Sequence, residues 1–352
     1  DAQSLKLSQA PITLQLGEEL TKGLGVGGNA ELGAQAAEES LDQIQELLEG
    51  ANMVFVTAGM GGGTGTGAAP IVAGVARNMG ALTVAVVTKP FDFEGQKRKE
   101  VAEEGIANLR DKVDTLIIVP NQRLLEIVNE SEKLSFIEAM KKVDSVLAEG
   151  VKSISSLISE TGYINADFND ARTVMKDAGT ALMGIGRASG ENRAEEAARA
   201  ATTSPLLDMS IEGATGVLYN IVASDLTLTE VSQVSDLIKE AVDPSANIKF
   251  GAQIDPNAGD ELIITIVATG FDESKQVYRQ QQREQTQSEP VSTIRTFGFE
   301  SDDSSDETLD SFDDEKEDEA IEDEEIATPK VPTPPEVQTD DPLDVPAFMR
   351  KR

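Results

Sequence analysis

The chain has 352 residues, of which 39% are hydrophobic, and it contains neither His nor Cys. Those absences exclude Ser-His-Asp triads, Cys nucleophiles, disulfides and zinc sites with the usual ligands, so any chemistry falls to carboxylates, Lys/Arg, hydroxyls, backbone amides or an oxygen-ligated metal such as Mg²⁺. A net charge of −33 argues against binding nucleic acid, and no apolar run reaches the roughly 20 residues that would insert across a membrane.

The first clear element is Asn52–Thr57, an apolar run that stops at glycines and predicts a buried strand. The glycine run Gly59–Gly67 follows. Then Ala68–Asn78 carries Ile71, Val72, Val75 and Ala76 at helical spacing, with Pro70 tolerated in the first turn. Leu82–Val87 and Thr115–Val119 predict further buried strands around a helix over Gln96–Leu109. Strand and helix alternating in this way is the pattern of a parallel sheet covered by helices, so the class is α/β. Leu134–Ile158 predicts a longer helix, with Phe136, Met140, Val143, Leu147, Val151, Ile154 and Ile158 on one face. It is long enough to connect two subdomains, and the turn Glu160–Gly162 ends it. Beyond it, predicted strands Leu182–Arg187, Gly216–Val222, Ile248–Ile254 and Leu262–Ala268 are interspersed with helices Asn192–Thr202 and Glu230–Val242. Hairpin-like spacing around Pro256–Gly259 between the last two strands predicts a second, smaller α/β domain with a mixed or antiparallel sheet.

The composition then changes. Between Glu300 and Glu325 there are 16 acidic residues and one basic residue, Lys316, a net of −15. Self-repulsion on that scale, with little apolar surface to offset chain entropy, prevents independent folding. Together with the Gln-rich stretch from about Ser274 and the Pro-rich Pro329–Pro335, it reads as a disordered linker, with the folded part ending near Phe271. At the end, Leu343, Val345, Phe348 and Met349 precede Arg350, Lys351 and Arg352. A short apolar peptide with a basic end is the composition of a segment that folds on binding a partner, the alternative being a plain disordered end.

The glycine run, Gly59-Met-Gly-Gly-Gly-Thr-Gly-Thr-Gly67, lies between a predicted strand and a predicted helix. Glycines let a backbone approach a phosphate closely, a helix N-terminus offers free N–H groups, and the hydroxyls of Thr64 and Thr66 can add donors. The run is not a Walker A loop, because no Gly-Lys-Ser/Thr follows, and a dinucleotide G-x-G-x-x-G fails because Thr64 stands where the third glycine belongs. A tight strand–helix turn is the competing reading. Glu94 and Arg98 follow a strand end, where doubly wound sheets place ligands, although a solvated helix-end pair is as good a description. Asp167 and Asp170, three apart at a predicted helix start, can act as N-caps or can position a water and Mg²⁺.

Gly61–Gly67 resembles the signature of the tubulin/FtsZ superfamily, and Asp1–Asp272 as a whole is similar to the FtsZ family. The resemblance implies a tubulin-like fold. A GTP-binding domain (1–133) would be joined by a central helix (134–162) to a GTPase-activating domain (163–273), then a disordered acidic linker (274–339) and a partner-binding peptide (340–352). It assigns Gly62, Gly63, Thr64, Gly65 and Thr66 to the phosphates of GTP or GDP, with Mg²⁺, and Gly23–Asn29 to sensing the γ-phosphate. Glu94 and Arg98 match the residues facing ribose and phosphate. Asn121 and Asp144 match those reading guanine, whose N1–H and N2–H a carboxylate can accept. Relatives often carry Phe four residues before that Asp, where this chain has Met140, a thioether that can still cover a ring face.

The resemblance further implies that Asp167 and Asp170, supported by Asn165, enter the nucleotide site of the next subunit and complete its GTPase in trans. That couples hydrolysis to a head-to-tail homopolymer and places the chain in the cytoplasm, in the division ring at the bacterial septum. Residues 341–352 match the peptide that docks on membrane tethers of the FtsA or SepF type. Asp1 matches a point inside the nucleotide domain, so the family's first strand, helix and phosphate loop are expected upstream, and the chain as written is expected to bind GTP poorly. A DNA-segregation filament, a non-hydrolysing scaffold and a Rossmann oxidoreductase are the rival readings.

Overall fold

The computed structural model describes residues 1–127, 135–159, 162–164, 166–207 and 209–271. Asn165, the linker and the tail peptide lie outside them. Helices α1 (Ala2–Leu7), α2 (Glu18–Thr21), α3 (Ala30–Glu39) and α4 (Leu41–Leu48) lead to β1 (Met53–Gly59), α5 (Thr64–Asn78), β2 (Leu82–Lys89), α6 (Gln96–Arg110), β3 (Thr115–Pro120) and α7 (Asn121–Ile127). The long α8 (Phe136–Ser159) and α9 (Phe168–Met175) follow. The rest is β4 (Gly179–Ser189), α10 (Arg193–Thr202), β5 (Gly216–Ala223), α11 (Leu228–Ala241), β6 (Asn247–Ile254) and β7 (Glu261–Thr269).

The strands form one sheet in the order β1-β2-β3-β4-β7-β5-β6. The join is β4, long enough to serve two partners. Gly179–Ala181 pair in parallel with Thr115–Ile117 of β3, and Leu182–Ser189 pair antiparallel with β7. Since β5 is antiparallel to β7 and parallel to β6, strands β1 to β6 all point one way and β7 alone runs against them. The mixed sheet expected of the second half is present. The hairpin expected around Pro256–Gly259 is not: β7 inserts between β4 and β5, so the turn after β6 carries the chain across β5. β7 is mostly apolar and buried from Leu262 to Thr269 apart from Ile263, which suits a central strand, whereas β6 is only partly buried and sits at the edge.

One face of the parallel half packs on α5 and α6 through Ala73, Ala102, Ile106 and Leu109. The other face carries α8 and α9. Met140, Leu147, Val151, Ile154 and Ile158 of α8 meet Val84, Val86 and Ile117 there, as their three- and four-residue spacing predicts. In the second half, α10 lies very close to β4. A Cβ on Gly184 would stand 2.1 Å from the Ala201 carbonyl oxygen, and one on Gly186 would stand 2.0 Å from that of Ala197. Alanines on the helix and glycines on the strand are what permit that approach.

Arg193 holds the outer corner of this half together. Its guanidinium is buried, with Nε 2.8 Å from Glu230, Nη2 2.8 Å from Asp225 and Nη1 donating to the Asp260 carbonyl at 3.1 Å. The hydrogen bonds it donates to Glu230 and Asp225 raise the Arg193 pKa above its usual value. Arg193→Met leaves Glu230 without its cation in a half-buried place, so we expect a loss of about 3 kcal/mol in chemical denaturation. Arg193→Lys should recover only part of it, because an ammonium cannot serve three directions as a planar fork does. A loss below about 0.5 kcal/mol for the Met variant, the range of ordinary surface changes, would contradict this account.

Candidate functional site

The glycine run occupies the carboxyl end of β1. Helix α5 begins inside it, at Thr64 rather than Ala68, so Pro70 is the seventh helical residue and not a first-turn one. Gly61 has φ +90°, a conformation L side chains rarely adopt, and its N–H donates to Thr66 Oγ1 at 2.9 Å. The Thr66 hydroxyl is thus turned inward and its side chain buried, while Thr64 is exposed.

The glycines divide by what surrounds them. A Cβ on Gly63 would stand 2.3 Å from Val26 Cγ2, one on Gly65 2.5 Å from the Gly59 carbonyl oxygen, and one on Gly67 1.9 Å from the Ala30 carbonyl oxygen. Each of these is needed for packing. Gly62 alone in the run has nothing within 4 Å of such a Cβ and no positive φ, so the space beside it is open, as room for a phosphate would be. Val26 and Asn29 against Gly63 also bring the Gly23–Asn29 loop alongside the run. Gly33 of α3 completes that contact, its Cβ position being 2.3 Å from the Gly63 carbonyl oxygen. In the sequence Gly33 is a lone glycine with nothing beside it to single it out.

Glu94 and Arg98 come to the same place. A Cβ on Gly61 would stand 2.6 Å from the Arg98 carbonyl oxygen, and Arg98 Nη1 lies 2.8 Å from Glu94 Oε2. Glu94 Oε1 accepts from the Phe91 N–H at 2.9 Å, so the carboxylate is fixed and largely shielded rather than freely solvated. Asn121 opens α7 directly after β3, and its neighbour Gln122 accepts from the Asp92 N–H at 3.3 Å. The Oδ1 of Asn121 is buried and has no hydrogen-bond partner among the described residues. Such an orphan costs free energy unless something donates to it, and a ligand N–H would. Asp144 is exposed on α8, and no described contact joins it to Asn121; Met140 packs on the core.

Gly62, Arg98 and Asn121 therefore follow the carboxyl ends of β1, β2 and β3, the edge where open α/β sheets bind ligands. Asp167 and Asp170 do not. Helix α9 ends at Met175, whose carbonyl accepts from the Thr115 hydroxyl at the start of β3, and Lys249 near the start of β6 pairs with Asp170. The two carboxylates sit at the amino edge of the same sheet.

Here they form a capping box. Asp167 Oδ1 accepts from the Asp170 N–H at 2.7 Å, and Asp170 Oδ2 accepts from the Asp167 N–H at 3.4 Å. The salt-bridging hydrogen bond from Lys249 Nζ, 2.8 Å from Asp170 Oδ1, holds the Asp170 carboxyl below the usual carboxylate range. Lys249, like Gly33, was missed in the sequence: it is one polar residue in a strand, and only the fold places it against α9. Among the described residues no cluster of three or more carboxylates could hold a metal ion.

Comparison with known proteins fits this arrangement. The family model described as the Tubulin/FtsZ family, GTPase domain, matches residues 1–129, and that of the FtsZ family, C-terminal domain, matches 179–272. Among solved structures, the empty FtsZ dimer of M. jannaschii is 44% identical with a TM-score of 0.74, over 77% of this chain and 78% of that one. CetZ1 of Haloferax volcanii, a GDP-bound monomer, gives 21% and 0.61 over 77% of this chain and 82% of its own. CetZ2 of the same organism, a GTPγS-bound protofilament, gives 20% and 0.64 over 81% and 86%. These last two identities speak for the fold alone.

Proposed function

The chain belongs to the tubulin/FtsZ family of GTPases, and we propose that it polymerises head to tail, with each GTP site completed by the next subunit. The observation that carries this reading is the separation of the two halves of the site. The residues suited to phosphate, sugar and base gather at the carboxyl edge of the sheet, and the two carboxylates lie at its amino edge. One copy cannot bring them together. A second copy stacked carboxyl edge to amino edge can, and stacking of that heterologous kind continues as an open filament.

Within such a contact, Gly62 and the start of α5 hold the phosphates, Arg98 adds charge, and the unpaired Asn121 Oδ1 accepts from guanine. Asp144, with Asn165 on the loop before α9, belongs to the same assignment. Asp167 and Asp170 of the neighbour position a water whose oxygen bonds to the γ-phosphorus as the bond to the GDP oxygen breaks. With no acidic cluster among the described residues, Mg²⁺ would be held chiefly by the nucleotide's phosphates, where it supplies charge neutralisation. In the cell we place the filament in the cytoplasm as a division ring at the septum, tethered to the membrane through residues 341–352 by partners of the FtsA or SepF type.

Turnover measured against protein concentration tests the shared site. GTP hydrolysis per chain should be near zero below a threshold and rise with sedimentable filament above it. A rate per chain that is the same at every concentration would sink the shared-site reading.

A further inference from the structure

We propose that Lys249 is a positioning residue for the reaction, holding the Asp170 carboxylate in place when α9 enters the neighbouring site. The inference rests on the in-trans role of Asp170 proposed above.

Three observations support it. The first is the contact itself, with Lys249 Nζ 2.8 Å from Asp170 Oδ1 and each side chain 34% exposed. The second is that the loop before α9 is tied to the same strand a second time. The Tyr163 N–H donates to the Ala252 carbonyl at 3.1 Å, and the Ala252 N–H donates to Ile164 at 2.9 Å. Strand β6 thus fixes the loop through its backbone at residue 252 and the carboxylate through a side chain at residue 249. Since β6 is paired along its full length with β5, loop and lysine are anchored on the same fixed strand.

The third observation is the division of labour in the capping box. Among the described residues, Asp167 spends one oxygen on the Asp170 N–H, whereas both Asp170 oxygens are engaged, one by the Asp167 N–H and one by Lys249. Among the described residues, Lys249 from β6 and Asp167 from the cap are the charged residues in contact with Asp170. Helix α9 also carries Arg172, but its guanidinium stands 6.0 Å over the Phe168 ring.

Docking a second copy would remove water from this pair. A carboxylate that loses solvent is driven toward its protonated form unless a cation stays beside it. Lys249 is that cation, and it travels with the loop. With it, Asp170 enters the contact ionised and aimed; without it, Asp170 takes up a proton at higher pH and swings more freely.

The test uses the full-length polypeptide assembled with GTP, comparing Lys249→Met, Lys249→Arg and Asp170→Asn in turnover per unit of sedimented filament across pH. For Lys249→Met we expect kcat to fall about fivefold at neutral pH, the upper end of what a partly exposed ion pair supplies, with KM for GTP unchanged. The acid limb of its profile should move to higher pH, and Lys249→Arg should restore both. An acid limb unmoved in Lys249→Met, while Asp170→Asn abolishes turnover, overturns the role of Lys249 and leaves the in-trans reading standing. Undiminished turnover in Asp170→Asn overturns both.

Discussion

Gly67→Ala should unfold the nucleotide half more readily than any other single change in the glycine run, lowering stability by at least about 3 kcal/mol. The added carbon would sit 1.9 Å from the Ala30 carbonyl oxygen and 2.6 Å from the Ala34 nitrogen, both backbone atoms of α3. Backbone cannot rotate aside as a side-chain tip can. Gly67 lies inside α5, where alanine is ordinarily favoured by up to about 1 kcal/mol, so the clash must exceed that gain before it is seen. In a body of this size such a loss should lower the thermal midpoint by roughly 6–12 °C.

Gly62→Ala supplies the contrast. With nothing within 4 Å and no positive φ, the substitution should leave the midpoint unchanged or slightly higher. Its methyl group intrudes where we place a phosphate, so GTP affinity should fall by on the order of tenfold, about 1.4 kcal/mol. Thermal scans and nucleotide titration of the two variants separate packing glycines from the ligand glycine. A stable Gly67→Ala beside an unstable Gly62→Ala would reverse the assignment.

The contrast shows what the sequence could and could not reveal. The run Gly61–Gly67 marked the site at once, but nothing in the letters distinguishes Gly62 from Gly67; that depends on α3, which lies some thirty residues earlier and packs across the run. Helix and strand positions were legible where burial had a helical period, as along α8, or where an apolar run was nearly continuous, as in β5 and β7. The start of α5 was hidden because a glycine run reads as a loop, which puts Pro70 in the first turn of a helix from Ala68, although the helix begins at Thr64 inside the run. The pairing of β7 between β4 and β5 was also hidden, since adjacent apolar runs with a turn between them describe a hairpin equally well. The role of Asn121 was legible only as a residue type after a strand. Its unsatisfied oxygen is a property of the packed structure.

Asp167→Asn should cost turnover on the order of 10²–10³-fold and cost stability almost nothing. Asn and Asp cap helices about equally, and the amide oxygen can still accept from the Asp170 N–H that Asp167 Oδ1 binds at 2.7 Å. Alanine would remove cap and carboxylate together and confuse the two effects, since losing a cap alone costs about 1 kcal/mol. Filaments of Asp167→Asn should still sediment with GTP, because the nucleotide half is untouched, and should persist longer because hydrolysis no longer clears the nucleotide. Mixing supplies the sharper result. In a one-to-one mixture of Asp167→Asn with a Gly62 variant too bulky to hold phosphate, each contact needs an intact loop from one subunit and an intact carboxylate from the next. Random stacking provides both at about a quarter of contacts, so two nearly inactive proteins should together recover about a quarter of wild-type turnover. Recovery no greater than the sum of the separate rates would mean that each copy hydrolyses GTP with its own carboxylates, and the two edges of the sheet would then need another explanation.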